Sequence, residues 1–304
     1  MAVYTRVSDD DLAAFVRRYD IGSVQALEEI AEGVENTNFR LVTDQGPFIL
    51  TLYEKRVDPA DLPFFLGLTN HLAARGVPCP LPVPDRDGQV LGMLSGRPAA
   101  LVTFLQGRWP RQILPVHMGA LGTALAAMHR AAADFALVRP NTLSRQGWHF
   151  LYKACSRRAH EVTPCLSEEI GAELAVMDAQ WPTGLPCGII HADLFPDNVF
   201  FQGEQLSGVI DFYFACSDML AYDIAICLNA WCFDAEGFFS TERARLFLAG
   251  YHRTRPLQSA ELDALPILAR GAALRFLLTR LHDWLYTPPD ALVTRKDPLE
   301  YLKK

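Results

Sequence analysis

His191-Ala192-Asp193-Leu194-Phe195-Pro196-Asp197-Asn198 carries the spacing H-x-D-x-x-x-x-N, and Val209-Ile210-Asp211-Phe212 follows a short gap later. Moving a phosphoryl group from a nucleotide to a hydroxyl takes a carboxylate that orients and deprotonates the hydroxyl. It also takes oxygen ligands that hold Mg²⁺ on the phosphates. Asp193 has the type and place for the first role, Asn198 and Asp211 for the second. Val199-Phe200-Phe201 and Ser207-Gly208-Val209-Ile210 are apolar runs on either side of a Gly-containing segment, so an antiparallel hairpin about Glu204 and Gln205 is expected. That fold-back sets Asn198 opposite Asp211, and opposed residues in such a ladder lie roughly 4.5–5.5 Å apart. An amide oxygen and a carboxylate would then meet one hard cation, in the oxygen environment Mg²⁺ takes. Asp193 sits in the loop feeding the hairpin, able to reach a hydroxyl beside the metal without ligating it. A zinc or manganese hydrolase built on His191 and Asp193 would need further His ligands near the motif, and the sequence places none there.

Elements must hold these groups in place. Ser8 to Tyr19 reads as a helix with Ser8 as its cap and Asp9 to Asp11 at its positive end. Strands are expected over 25–30, 38–43 and 47–53, the last two joined by the turn Asp44-Gln45-Gly46. A helix over 61–74 ends at Gly76, and strands over 89–94 and 98–104 follow. Beyond that the spacing predicts helices over 119–133, 145–162, 166–178, 220–232, 241–253 and 259–285. Strands first and helices later make an α+β chain of two lobes, 1–106 and 107–304, with a hinge at Leu105-Gln106-Gly107-Arg108. A cleft between lobes is a common place for a nucleotide.

Composition narrows the class. Half of the 304 residues are hydrophobic and 21% are charged, enough for a sizeable core. No run approaches the roughly 20 apolar residues of a membrane helix. Met1 to Arg6 leads into Asp9-Asp10-Asp11, which is not the pattern of a secretory signal. Seven Cys without C-x-x-C spacing fit reduced thiols in a cytoplasm. The charge of −7 argues against a nucleic-acid partner.

On the nucleotide side, Glu32-Gly33-Val34-Glu35-Asn36-Thr37-Asn38 lies between the first two strands, where backbone N–H groups would cover phosphates. Gly33 supplies the turn. Asn36 and Asn38 are expected to take unusual backbone angles or to donate side-chain hydrogen bonds. The third strand carries Thr51, Tyr53 and Lys55 on one face, and Lys55 is the candidate cation for the phosphates.

With these pieces in place, the chain resembles the aminoglycoside-phosphotransferase/choline-kinase superfamily, over nearly its whole length. Glu32 to Phe39, Ile49 to Arg56, Gly76-Val77-Pro78-Cys79-Pro80, His191 to Phe201 and Ile210 to Cys216 carry the likeness. Within the superfamily it is most similar to the bacterial homoserine-kinase branch. The resemblance implies a protein-kinase-like fold, ATP and Mg²⁺ as cofactors, and phosphorylation of the L-homoserine hydroxyl for threonine synthesis. It gives Asp193 as catalytic base and Asn198 and Asp211 as metal ligands. Thr51 departs from it, because most members have Lys or Arg there. No Glu stands in Pro63-Phe64-Phe65-Leu66 to pair with such a cation. An amino-acid acceptor needs a partner for its carboxylate and one for its ammonium. The candidates are Tyr213, Asp218, Arg275, Arg280 and Asp283, set against a structural ion-pair reading for each. Asp218 and Asp223 are also candidates to brace the loop around Asp211. Sibling acceptors are an aminoglycoside, choline or another small alcohol, and a binding-only pseudokinase is the reading from another class. No membrane or nucleic-acid partner is expected, and the oligomeric state is left at monomer or weak dimer.

Overall fold

The computed structural model describes residues 5–30, 36–54, 57–288 and 295–304. The chain forms two compact units. One is residues 1–107 with 207–213, the other 108–206 with 214–304.

The first unit opens with α1 (Asp9–Val16), where the Ser8 hydroxyl accepts the Asp11 N–H at 3.2 Å and three Asp fill the first turn. Both devices serve N–H groups that the helix itself leaves without partners. The strands β1 (Val24–Ile30), β2 (Thr37–Thr43), β3 (Gly46–Leu52), β4 (Gly92–Leu94) and β5 (Arg97–Thr103) form one antiparallel sheet in the order β1-β2-β3-β5-β4. In β2 every second residue is buried, namely Thr37, Phe39, Leu41 and Thr43. Phe39 pairs with Leu50, and both join Leu12, Phe15 and Val16 of α1 in the core. This is the period-two pattern of a sheet packed on one face.

The helix α2 (Leu62–Ala73) stops where Gly76 takes φ +80° and Val77 N–H bonds back to Leu72. The strand expected over 89–94 is shorter than the sequence suggested. Asp85 Oδ1 accepts the N–H groups of Asp87 and Gln89, and Gln89 O takes the Asp85 N–H, so the first residues are spent on a turn. Residues 207–213 are tied to this unit. Ser207 donates to Gln106 O, Val209 N–H to Pro78 O, and the Tyr213 ring meets those of Tyr53 and Phe65 edge-on.

The second unit holds α3 (Pro115–Ala131), α4 (Arg145–Cys155), α5 (Leu166–Gln180), β6 (Cys187–Ile190) and β7 (Val199–Gln202). The strand β8 (Gln205–Val209) pairs with β7, so the expected hairpin forms, but its turn is Gly203–Glu204 rather than Glu204–Gln205, and Asn198 and Asp211 lie outside both strands instead of facing each other in the ladder. Then follow β9 (Cys216–Met219), α6 (Leu220–Trp231), α7 (Thr241–Thr254), α8 (Ser259–Tyr286) and α9 (Leu299–Leu302). β6 and β9 run antiparallel, with Ile190 opposite Cys216. The helix expected over 145–162 breaks at Cys155. Its continuation is a single tight turn, Ala159–Glu161, beside Arg158, which turns in to donate to Leu285 O at 2.9 Å.

α3 and α7 approach backbone to backbone. A Cβ on Gly122 would lie 2.1 Å from Phe247 O, and one on Gly250 2.3 Å from Gly119 O. Gly122→Ala gains roughly 1 kcal/mol in helix propensity, but the atom it strikes is main chain and cannot rotate away. Overpacking of this kind costs about 1–3 kcal/mol or more. The variant is therefore expected to unfold at lower urea than the wild type, and an unchanged or raised midpoint would refute the close approach.

Candidate active site

β6 delivers the chain into the loop His191–Phe195, and a tight turn at Pro196–Asn198 returns it to β7. Nearly every polar main-chain group of this loop has a dedicated partner. Asp223 of α6, fully buried, accepts His191 N–H at 2.7 Å and Ala192 N–H at 2.9 Å. Arg275 of α8, 2% exposed, donates to Ala192 O. The Trp231 indole N–H donates to Leu194 O at 2.8 Å, and Asn198 Nδ2 to Asp193 O at 2.8 Å.

Ala192 has φ +64°, a left-handed conformation costing roughly 1–2 kcal/mol for a residue with a Cβ. Asp223 on its N–H and Arg275 on its C=O hold it there. The strained residue lies immediately before Asp193, so the clamp fixes where that carboxylate points.

Asp223 is itself supported from behind. His129 Nε2 lies 3.1 Å from its Oδ2, and His129 Nδ1 lies 2.7 Å from the Tyr251 hydroxyl. Arg255 donates to Tyr251 and pairs with Glu261 at 2.9 Å. Burial raises the Asp223 carboxyl pKa, but the His129 hydrogen bond, the charges of His129 and His191 and the His191 N–H bring it below the ordinary value. Asp223 is therefore the ionised acceptor of these bonds. The α3–α7 contact that Gly122 permits also sets the spacing of His129, on α3, from Tyr251, on α7.

Asp193 is half-buried. Burial pushes its carboxyl above the ordinary carboxylate value, against the pull of the Arg275, His191 and Lys296 charges. A raised pKa brings a carboxylate closer to what a general base needs near neutrality. Asn198 turns its amide nitrogen to Asp193, 2.8 Å to the main-chain oxygen and 3.4 Å to Oδ2. Its amide oxygen is thereby left as the group to meet a cation, which fits a metal ligand of the hard-oxygen type. Asp211, in the first unit, also has a left-handed backbone at φ +64°. Two non-glycine residues in this conformation thus fall at or beside the motif's carboxylates.

In the first unit the sheet end differs from the expectation for Asn36 and Asn38. Neither has a left-handed backbone. Asn36 Oδ1 accepts the Glu54 N–H at 3.2 Å, and Asn38 Oδ1 accepts the Thr51 hydroxyl at 2.8 Å across the β2–β3 pair. These side chains tie the sheet together. Gly33 and Lys55 lie outside the described residues. Glu54 collects the Thr37 hydroxyl at 2.9 Å and the Arg97 guanidinium at 3.2 Å, an ion pair the sequence reading missed. Its signal was a lone acid at the end of β3 facing an Arg on the adjacent strand β5, more than 40 residues along the chain, which local patterning does not show. Thr51 is buried with Tyr53 and Tyr213 around it. Burial pushes the Tyr53 phenol up to about 12 and that of Tyr213 well above its ordinary value.

The proposed acceptor residues separate into different roles. Tyr213 is part of the aromatic cluster with Tyr53 and Phe65. Asp218 accepts the Asn141 amide at 2.7 Å on β9, a structural bond. Arg275 is a clamp on the loop, stacked 4.4 Å over the Phe276 ring, so its charge is not presented to a ligand. Arg280 is spent on Glu300 at 2.6 Å and on Asp297 O. Asp283 is half-exposed near the end of α8. Asp223 braces the loop of Asp193 rather than that of Asp211. The sign available in the sequence was a single carboxylate inside the apolar run Leu220 to Leu228, since a buried acid needs partners.

The chain matches the sequence model of the phosphotransferase enzyme family over residues 26–257. It is 61% identical over 304 residues to a homoserine kinase of Rhodospirillum rubrum, covering all of this chain and 95% of that one. It is 60% identical over 304 residues to a homoserine kinase of Rhizobium johnstonii, with the same coverage. Among solved structures, a spectinomycin phosphotransferase in complex with ADP and spectinomycin superposes with a TM-score of 0.74 at 13% identity, over 98% of this chain and 94% of that one. At that identity the likeness speaks for the fold.

Proposed function

We propose, on the premise that this chain belongs to the phosphotransferase enzyme family, that it is an ATP-dependent kinase of the L-homoserine side-chain hydroxyl. The product is O-phospho-L-homoserine, an intermediate of threonine biosynthesis. One observation carries the acceptor: identity of 60–61% along the full length to homoserine kinases, with no part of this chain left over.

Asp193 takes the proton of the hydroxyl as its oxygen attacks the γ-phosphorus and the bond to the ADP oxygen breaks. The clamp of Asp223, Arg275, Trp231 and Asn198 supports this role, because catalysis of phosphoryl transfer rests on positioning and charge more than on covalent chemistry. Asn198 and Asp211 would be the ligands of Mg²⁺, which would neutralise charge on the phosphates. Gly33 would serve the phosphate-covering turn, with Asn36 and Asn38 holding the strand ends beneath it, and Lys55 would supply the cation that Thr51 does not. Residues 1–106 serve the nucleotide and 107–304 carry the catalytic loop and the acceptor. No helix among the described residues is long and apolar enough to cross a membrane. We place the enzyme in the cytoplasm, where its seven thiols stay reduced.

ATP consumption with Mg²⁺ tests the reading against L-homoserine, choline, methylthioribose and an aminoglycoside. Homoserine is expected to give the highest kcat/KM by orders of magnitude. A higher value for another acceptor would reassign the substrate, and no turnover with any would favour the binding-only reading.

A further inference from the structure

Two cations outside the motif bear on Asp193. Arg275 is consumed by Ala192 O. The other is Lys296, in the segment that leads to α9. Its ammonium lies 5.6 Å from the centre of the Phe195 ring, two residues along the loop from the base, and it is exposed. Among the described residues it forms no ion pair.

The backbone that follows it is tied to α8 and α6. Arg280 donates to Asp297 O at 3.2 Å, the residue after Lys296, and to Glu300 at 2.6 Å. The Tyr301 ring, 2% exposed, packs 5.2 Å from Phe276, which in turn lies 4.9 Å from Phe195. Lys304 closes the segment by donating to Asn229 O at 3.1 Å and to Glu300 at 3.0 Å. The segment thus sets Lys296 beside Phe195 of the catalytic loop.

Asp193 gains nothing as a base from this neighbour, since a nearby cation makes a carboxylate less basic. The charge must serve something else that is anionic and close to the reacting hydroxyl. An amino acid whose side-chain hydroxyl sits at Asp193 places its own carboxylate roughly 5 Å away, by ordinary bond lengths. Lys296 stands beside Phe195, two residues along the same loop, and its charge is felt at Asp193. We propose that Lys296 binds the acceptor's carboxylate and so selects an amino acid over a plain amino alcohol. This rests on the homoserine reading above.

The test compares L-homoserine with 3-aminopropan-1-ol, which is homoserine without its carboxylate, as substrate or, if it is not turned over, as competitive inhibitor. Wild type, Lys296→Met and Lys296→Arg are measured with both. Lys296→Met is expected to lose about 10- to 100-fold in kcat/KM for homoserine, mainly through KM, the range for a hydrogen bond to a charged group. The constants for aminopropanol and the KM for ATP should not move, and Lys296→Arg should recover part of the loss. An unchanged homoserine KM overturns the proposal. So does an equal fall for both acceptors, which would make Lys296 a partner of Asp193 or of the nucleotide. A wild type inactive on homoserine but active on another alcohol would sink the homoserine reading itself, a result distinct from either of these.

Discussion

Asp193→Asn is expected to lower kcat on homoserine by about 10²- to 10⁴-fold, the range for a lost general base, while the KM for ATP stays within a few-fold. Asn keeps the shape of the side chain and can still receive the Asn198 amide contact. What disappears is the capacity to take a proton. The same variant should be at least as stable as the wild type at any pH above the folded-state pKa of Asp193. The folded-state pKa of Asp193 is raised by burial, so the folded chain binds more protons than the unfolded one between the ordinary carboxylate value and the raised one. Stability contributed by this group is therefore present at low pH and lost as pH rises through the folded pKa. Above the folded-state pKa the full penalty is in place, and a neutral amide removes it. A functional group that destabilises its own site is the usual trade between activity and stability. Initial rates and a urea midpoint for the two proteins decide the matter. Turnover within a few-fold of wild type would sink the base assignment. The wild-type profile of kcat/KM should also show an acid limb above the ordinary carboxylate pKa, because Asp193 must be ionised to act.

Asp223→Ala is expected to cost about 3–5 kcal/mol of stability, the cost of removing one partner from a buried charged network. Asp223 is fully buried and serves three groups, the N–H of His191, the N–H of Ala192 and His129 Nε2. All three stay buried when it goes. Ala192 also loses one of the two bonds that hold its left-handed backbone, so Asp193 should lose its aim and kcat should fall with it. Asp223→Asn separates the two effects. It fills the same space but can accept only one of the two N–H groups, because its NH₂ faces the other. Its losses should lie between wild type and Asp223→Ala. The pKa of Asp223 is lowered on folding, so its contribution is present above the unfolded value and lost as pH falls through the folded one. The alanine variant should show less of this acid loss. Wild-type values for both the urea midpoint and kcat would refute the brace.

Much of the fold was legible because it is local. Ser8 caps α1 within three residues. The Thr37–Thr43 alternation marks its buried face on its own, and Gly76 ends α2 by a conformation most residues avoid. Where a local pattern met a side chain from elsewhere, it failed. The strand over 89–94 lost its first residues to Asp85, and the helix over 145–162 broke beside Arg158. Asn36 and Asn38 looked like loop residues for a nucleotide, yet Thr51 and Glu54 of the neighbouring strand and its end engage them.

The sequence by itself determined the chemistry. Asp193, Asn198 and Asp211 lie within one short stretch, and residue types at fixed spacing are what a phosphoryl-transfer site needs. Only the tertiary structure decided which of the remaining charges are ligand-facing and which are scaffold. Arg275 meets Ala192 across 83 residues, Asp223 meets it across 31, and His129 meets Asp223 across 94. Arg280 and Arg275 are five residues apart on the same helix and look alike as candidates, but one holds the catalytic loop and the other the segment bearing Lys296. The physical reason is that a charge's role follows from its burial and its partner. Both are set by chain segments that the local sequence does not contain.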